Sequence, residues 1–89
     1  MRVVVTVLGK DKVGIVAAVA TACAKERMNI VDINQNITGG YFNMVLIADM
    51  EQSAKSLQAA QREFGELGQT LGVEIRVQSE EIFAAMHHV

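Results

Sequence analysis

The residues able to do chemistry in this chain cluster in one short stretch, LGKDKVGIVAAV, residues 8–19. Gly9 and Gly14 have the G-x-x-x-x-G spacing of a phosphate cradle, with Lys10 and Lys12 between them. Gly14, however, is followed by Ile15-Val16, where a nucleotide-binding loop carries the lysine and hydroxyl residue that hold phosphate and magnesium. Asp11, between the lysines, would also repel a polyphosphate. The stretch suits a different ligand. Residues 14–16 open a helix, whose first N–H groups lack intrahelical partners and whose dipole end is positive. With no Cβ at Gly14, a carboxylate can come close to those groups, and Asp11 beside them can meet an ammonium. Together they describe a receptor for a zwitterion. The same residues also suit a tight strand-to-helix turn with Asp11 as helix cap, and residue types alone leave both readings open.

A second polar group follows. Asp32, Asn34 and Asn36 alternate with Ile33 and Ile37, and Asn29 precedes them. Asp and Asn are depleted in strands, so a row of them has a purpose. It is an edge kept polar against aggregation, the polar half of a ligand pocket, or a hydrated dimer seam. The remaining candidates carry less. Cys23 sits among Val19, Ala20 and Ala24, the place of a small packing residue and not of a nucleophile. His87 and His88 are adjacent, hence on different sides of a helix, and no further Cys or His has metal-ligand spacing. The loop lysines lack the planar fork with which an arginine grips a phosphoryl group, which argues against a small phosphatase using Asn34, Asn36 or Asn43. The first strand has no aromatic residue, and Tyr41 and Phe42 adjoin a turn, so the base-stacking platform of an RNA-binding sheet is missing. No catalytic residue, metal site or cofactor is expected.

The elements that position these residues are legible from their periods. Arg2 to Leu8 is β-branched and apolar on both faces, as in an interior strand. Ile15, Val16, Val19, Ala22 and Cys23 recur at helical spacing up to about Arg27. Asn29 to Thr38 and Tyr41 to Met50 are two strands around Gly39-Gly40, a pair able to supply the positive φ values of a two-residue hairpin turn. Leu57, Ala60, Phe64, Leu67 and Leu71 mark one face of a helix from about Ser53 to Leu71. Gly65 and Gly68 weaken its last turns by roughly 1 kcal/mol each. Val73, Ile75 and Val77 alternate with polar residues in a last strand. Ser79 is placed to cap a short third helix, with Glu80 and Glu81 in its first turn and Ile82, Phe83 and Met86 as anchors. The order β-α-β-β-α-β plus a terminal helix predicts an α+β ferredoxin-like sandwich: a four-stranded antiparallel sheet, two helices on one face, and a short C-terminal helix.

Composition bounds the rest. The 89 residues fit one domain, 1–78, with 79–89 as a helical extension of it; 51% are apolar, enough for an aliphatic core. A domain this small gains from pairing with a second copy. Ten acidic against eight basic side chains give a net charge of −2 and no basic stripe for nucleic acid. The single cysteine fits a reducing compartment. The first residues read as a strand and not as a signal peptide, and no apolar run has the length of a membrane span. A cytoplasmic protein is expected.

The segment GKDKVGIVAAVATACAKERMNIVDINQN resembles the start of an ACT domain, the small regulatory module of amino-acid metabolism. That family's pattern is a strand, then Asp-basic-x-Gly-aliphatic, a helix, and an Asn-Ile pair opening the second strand. Here these are Asp11, Lys12, Val13, Gly14 and Ile15, then Asn29 and Ile30, with Val13 where a proline is often found. The ending VEIRVQSEEIFAAMHHV is similar to stand-alone bacterial and archaeal ACT proteins, some compared with glycine-cleavage repressors. The resemblance implies copies paired side by side or face to face, with an amino acid held between the first loop of one and the second strand of its neighbour. Backbone around Val13, Gly14 and Ile15 would take the carboxylate, and Asp11, Asn29 or Asp32 the ammonium; Lys12 and Asn34 complete the expected ligand-binding set. The expectation is a non-catalytic, homodimeric module binding a small amino acid or related metabolite. The alternative is an interaction module that binds no metabolite and regulates a separate protein partner.

Overall fold

The computed structural model describes residues 1–10 and 13–86. Along them run β1 (Arg2–Lys10), α1 (Ile15–Lys25), β2 (Asn29–Thr38), β3 (Tyr41–Asp49), α2 (Leu57–Leu71), β4 (Glu74–Ser79) and α3 (Glu80–Met86). The four strands form one antiparallel sheet in the order β2-β3-β1-β4, the ferredoxin-like α+β arrangement that the sequence predicts.

The valine run explains why β1 is central. Val3, Val5 and Val7 point to one face and join a core with Ile15, Val19 and Cys23 of α1, Met44 and Leu46 of β3, Ala60 and Phe64 of α2, and Ile75 and Val77 of β4. Each valine, leucine, isoleucine, phenylalanine or methionine among them, fully removed from water, stabilises the fold by about 1.5–3 kcal/mol before entropy is counted. Val4 points the other way yet is also buried, because α3 lies on that second face against β1 and β4. Helices α1 and α2 therefore share one face, and α3 covers part of the other.

Local chemistry sets the element ends. Gly39 and Gly40 both have positive φ (60° and 83°), as a two-residue hairpin turn requires. α1 stops at Lys25, short of Arg27, because Arg27 turns left-handed (φ 59°) and the Met28 N–H closes back on the Cys23 carbonyl at 2.9 Å. α2 starts at Leu57, later than the expected Ser53. Ser56 Oγ accepts the Ala59 N–H at 3.1 Å as its cap, while Ser53 Oγ takes the Lys55 N–H and holds the preceding turn. Despite its glycines α2 runs to Leu71, and the Val73 N–H bonds the Gly68 carbonyl at 2.9 Å. A Cβ at Gly68 would stand 2.7 Å from the Val73 oxygen, so the closing turn needs the glycine for space.

Ser79 caps α3 as expected, its Oγ accepting the Ile82 N–H at 3.2 Å. The anchoring differs from the expectation. Phe83 is partly covered at the sheet, whereas Ile82 and Met86 remain exposed, since a seven-residue helix turns only a narrow stripe inward. His87 and His88 lie outside the described residues, as do Asp11 and Lys12.

Candidate functional site

The turn from β1 into α1 is built around Gly14, the residue preceding the helix, held at φ 89° and ψ −1°. Side chains other than glycine pay to adopt that left-handed conformation. Space is not the constraint: a Cβ at Gly14 would meet nothing within 4 Å. The first bond of α1 runs from the Ala18 N–H to the Gly14 carbonyl at 2.9 Å. The N–H groups of Ile15, Val16 and Ala17 thus precede the helical ladder. Among the described residues no side chain caps this end, and no acidic residue stands in the first turn to neutralise its positive dipole. Val13, just before, is fully exposed.

Between this helix end and β2 lies a groove of about 780 Å³. Its walls are Gly14, Ile15, Val16, Ala17 and Ala20 on one side and Gln35, Asn36 and Ile37 on the other, with Phe42 of β3 behind. The sheet register sorts the β2 residues by face. Ile30, Ile33, Gln35 and Ile37 pair with Ala48, Leu46, Met44 and Phe42, the β3 residues of the core face. Asp32, Asn34 and Asn36 pair with Ile47, Val45 and Asn43, and so lie on the face away from α1 and α2. Val31 is the extra residue of a β-bulge between Ile30 and Asp32. Gln35 is consequently the polar side chain that β2 turns towards the groove, and Asn36, also at its border, belongs to the opposite face of the strand. Sequence reasoning missed Gln35, because nothing in an Asn-Gln-Asn run marks which member faces a helix.

The structure brings some of the sequence-derived residues together and separates others. Gly14 and Ile15 line the groove, and Val13 adjoins it. Asn34 and Asp32 lie beside it on the opposite face of the same strand. Asn29 is at the far end of β2, roughly 20 Å from the groove at the rise of a strand. There it borders a small depression with Asp49, Glu51 and Gln52.

β2 forms an edge of the sheet, and all ten of its residues are exposed, Ile30, Val31, Ile33 and Ile37 among them. A long aliphatic edge of this kind presents unpaired backbone groups to another chain. Cys23, by contrast, is fully buried on the inner side of α1, and burial pushes its thiol up to about 11.

These features, set beside known proteins, have close counterparts. An ACT domain family model matches residues 1–78. The chain belongs to the ACT domain family. It is 47% identical over 87 residues to a UPF0237 protein of Listeria monocytogenes, covering 98% of each chain. An ACT domain protein from Streptococcus pneumoniae superposes with a TM-score of 0.85 at 40% identity over 93% of both chains. A putative glycine cleavage system transcriptional repressor shares the fold, with a TM-score of 0.78 and 22% identity over 86% of this chain and 45% of that one. Among the described residues of this ACT domain, no helix is long and apolar enough to cross a membrane.

Proposed function

We propose that this ACT domain is a non-catalytic regulatory module that binds a small amino acid or related metabolite at the interface of a homodimer. The observation that carries the reading is the groove: a helix end that no described side chain caps, with no acid in its first turn, opens into a largely apolar trough beside an exposed edge strand. A carboxylate belongs at the helix end. Gln35 supplies an oxygen for the ammonium, and Asp11, three residues before Gly14 in the sequence, is the expected carboxylate partner.

The second copy follows from the edge. Antiparallel pairing of two β2 strands about their middle would cover the exposed isoleucines. It would also lay the 29–32 end of one copy alongside the 35–38 half of the other, with Asn29, Asp32 and Asn34 on the outer face of the seam and Gln35 of each copy on the groove side. ACT domains are typically regulatory ligand-binding units, and a cytoplasmic setting suits a module that reads metabolite levels.

The test is a thermal-shift screen of the protein against the twenty amino acids, paired with light scattering to read its mass. Ligand at about one hundred times its Kd adds roughly 2.7 kcal/mol, a rise of many degrees for a domain this small. A shift with one or two amino acids, in a dimer, supports the reading; a monomer with no shift rejects it. The exposed β2 edge favours one rival: an interaction module in which a strand of another protein adds to β2 and no metabolite binds. It predicts a monomer, unshifted by amino acids, whose β2 amides become protected from exchange only when a partner is added.

A further inference from the structure

We infer that the ligand seated in this groove is an α-amino acid with an aliphatic side chain of the valine, leucine or isoleucine size, and not glycine, serine or a charged amino acid. The inference rests on the reading of the groove as an amino-acid seat and adds to it the side chain the seat selects. Gly14 and the first N–H groups of α1 fix the carboxylate at one end. The groove then continues along α1, past Val16 and Ala17 to Ala20, which lies about 9 Å from Gly14 along the helix axis. That span exceeds the backbone of an amino acid and leaves room for a side chain of several carbons.

Apart from Gln35 and Asn36 of β2, what lines the span is apolar. Ile15 and Phe42 form its floor, both buried; Val16 and Ala20 are half-buried; Ile37 closes the β2 side and is 58% exposed. Alanines at 17 and 20, three residues apart on one helix flank, keep the trough open where larger residues would fill it. Among the described lining residues none is charged. A charged ligand side chain would shed water here and gain no counter-ion. Glycine or serine would leave Ala17, Ala20 and Ile37 in contact with water. An aliphatic side chain removes both surfaces from water together, and each buried methylene is worth roughly fourfold in affinity. The positive helix end and the uncharged trough complement one kind of molecule: anionic at its head and aliphatic at its tail.

The experiment is calorimetric titration of the full 89-residue chain with L-leucine, L-isoleucine, L-valine, glycine, L-serine, L-phenylalanine, L-aspartate and L-lysine. The expected result is that a branched aliphatic amino acid binds at least tenfold tighter than glycine or serine, with aspartate and lysine weaker still. Ala20→Leu fills the trough and should lower leucine affinity at least tenfold, narrowing the leucine-to-glycine ratio. Ala17→Leu, at an exposed position that does not endanger folding, should do the same. Tighter binding of glycine, serine, phenylalanine or a charged amino acid overturns the aliphatic assignment while leaving the seat in place. Failure of every amino acid to bind at millimolar concentration overturns the seat itself, and this inference with it.

Discussion

Gln35 and Asn36 are neighbours in sequence, yet β2 sends them to opposite faces of the sheet, Gln35 beside Met44 and Asn36 beside Asn43. Only Gln35 turns its amide towards the groove. Gln35→Ala should therefore weaken binding of the amino acid that the screen identifies by five- to tenfold, the worth of a hydrogen bond of about 1 kcal/mol. Asn36→Ala should change it less than twofold. Titration of the two variants side by side checks this. Equal losses would mean that the amide on the outer face reaches the ligand, and the site would have to be redrawn.

That pair also shows where reading the sequence runs out. The alternation of Asp32, Asn34 and Asn36 was legible, and so was their sharing of one face. Which face was not, because the apolar residues of β2, Ile30, Val31, Ile33 and Ile37, do not keep a period of two. The bulge at Val31 restores the register, and a bulge has no composition of its own. Gly39-Gly40, the valine run of β1 and the α2 stripe depend on local rules, so the fold followed from them. The groove depends on how far α1 stands from β2, which is set by packing across the whole core. At Gly14 no neighbouring atom stands where a Cβ would be, so the left-handed backbone of the strand-to-helix turn itself demands the glycine.

Gly14→Ala tests that last point. The Cβ finds open space, so the cost is the left-handed backbone, about 1 kcal/mol. For a domain of this size the melting temperature should fall by about 4–8 °C, with the secondary structure intact by circular dichroism. A Cβ standing over the helix end should also weaken ligand binding beyond what the stability loss predicts. An unchanged melting temperature would mean that the turn relaxes to a different backbone.

The isoleucine edge makes a prediction about mass. Ile33 is 40% exposed in the middle of β2, and a lysine there is the usual device against strand pairing. Ile33→Lys should convert the proposed dimer to monomer in light scattering, with little effect on the fold because the residue adds little to the core. A dimer that survives this change would be joined through another surface, such as the sheet face flanked by Leu8, Val45 and Phe83.

Lys55 ties the two core helices together. Its Nζ lies 2.5 Å from Glu63 Oε2 on α2 and 3.3 Å from Glu26 Oε2 just past α1. The hydrogen bond to Glu63 is the main reason its pKa is raised. Lys55→Met should lower the melting temperature by leaving the Glu63 oxygen without its partner, and adding Glu63→Gln should restore part of the loss. A double-variant cycle in thermal unfolding measures the coupling; additive effects would show that the pair contributes nothing of its own.

Cys23 carries the pH dependence. Its side chain is fully buried, and burial raises the thiol from its ordinary value of 9.0 to about 11. For an acid buried in its neutral form, the unfolded chain ionises first. Between about pH 9 and 11 the unfolded state therefore holds fewer protons than the native one, and stability falls as pH rises, by about 1.4 kcal/mol per unit for this one group. The raised pKa of Lys55 acts in the same direction, its contribution being present at neutral pH and lost at higher alkalinity. Denaturant titrations at pH 7, 9 and 10.5 should show the midpoint moving down across the last interval, and Cys23→Ala should remove most of the slope between pH 9 and 10.5. The same burial predicts that a thiol-specific reagent at pH 8 labels Cys23 only as fast as the protein unfolds. Prompt labelling of the native protein would mean that α1 opens locally.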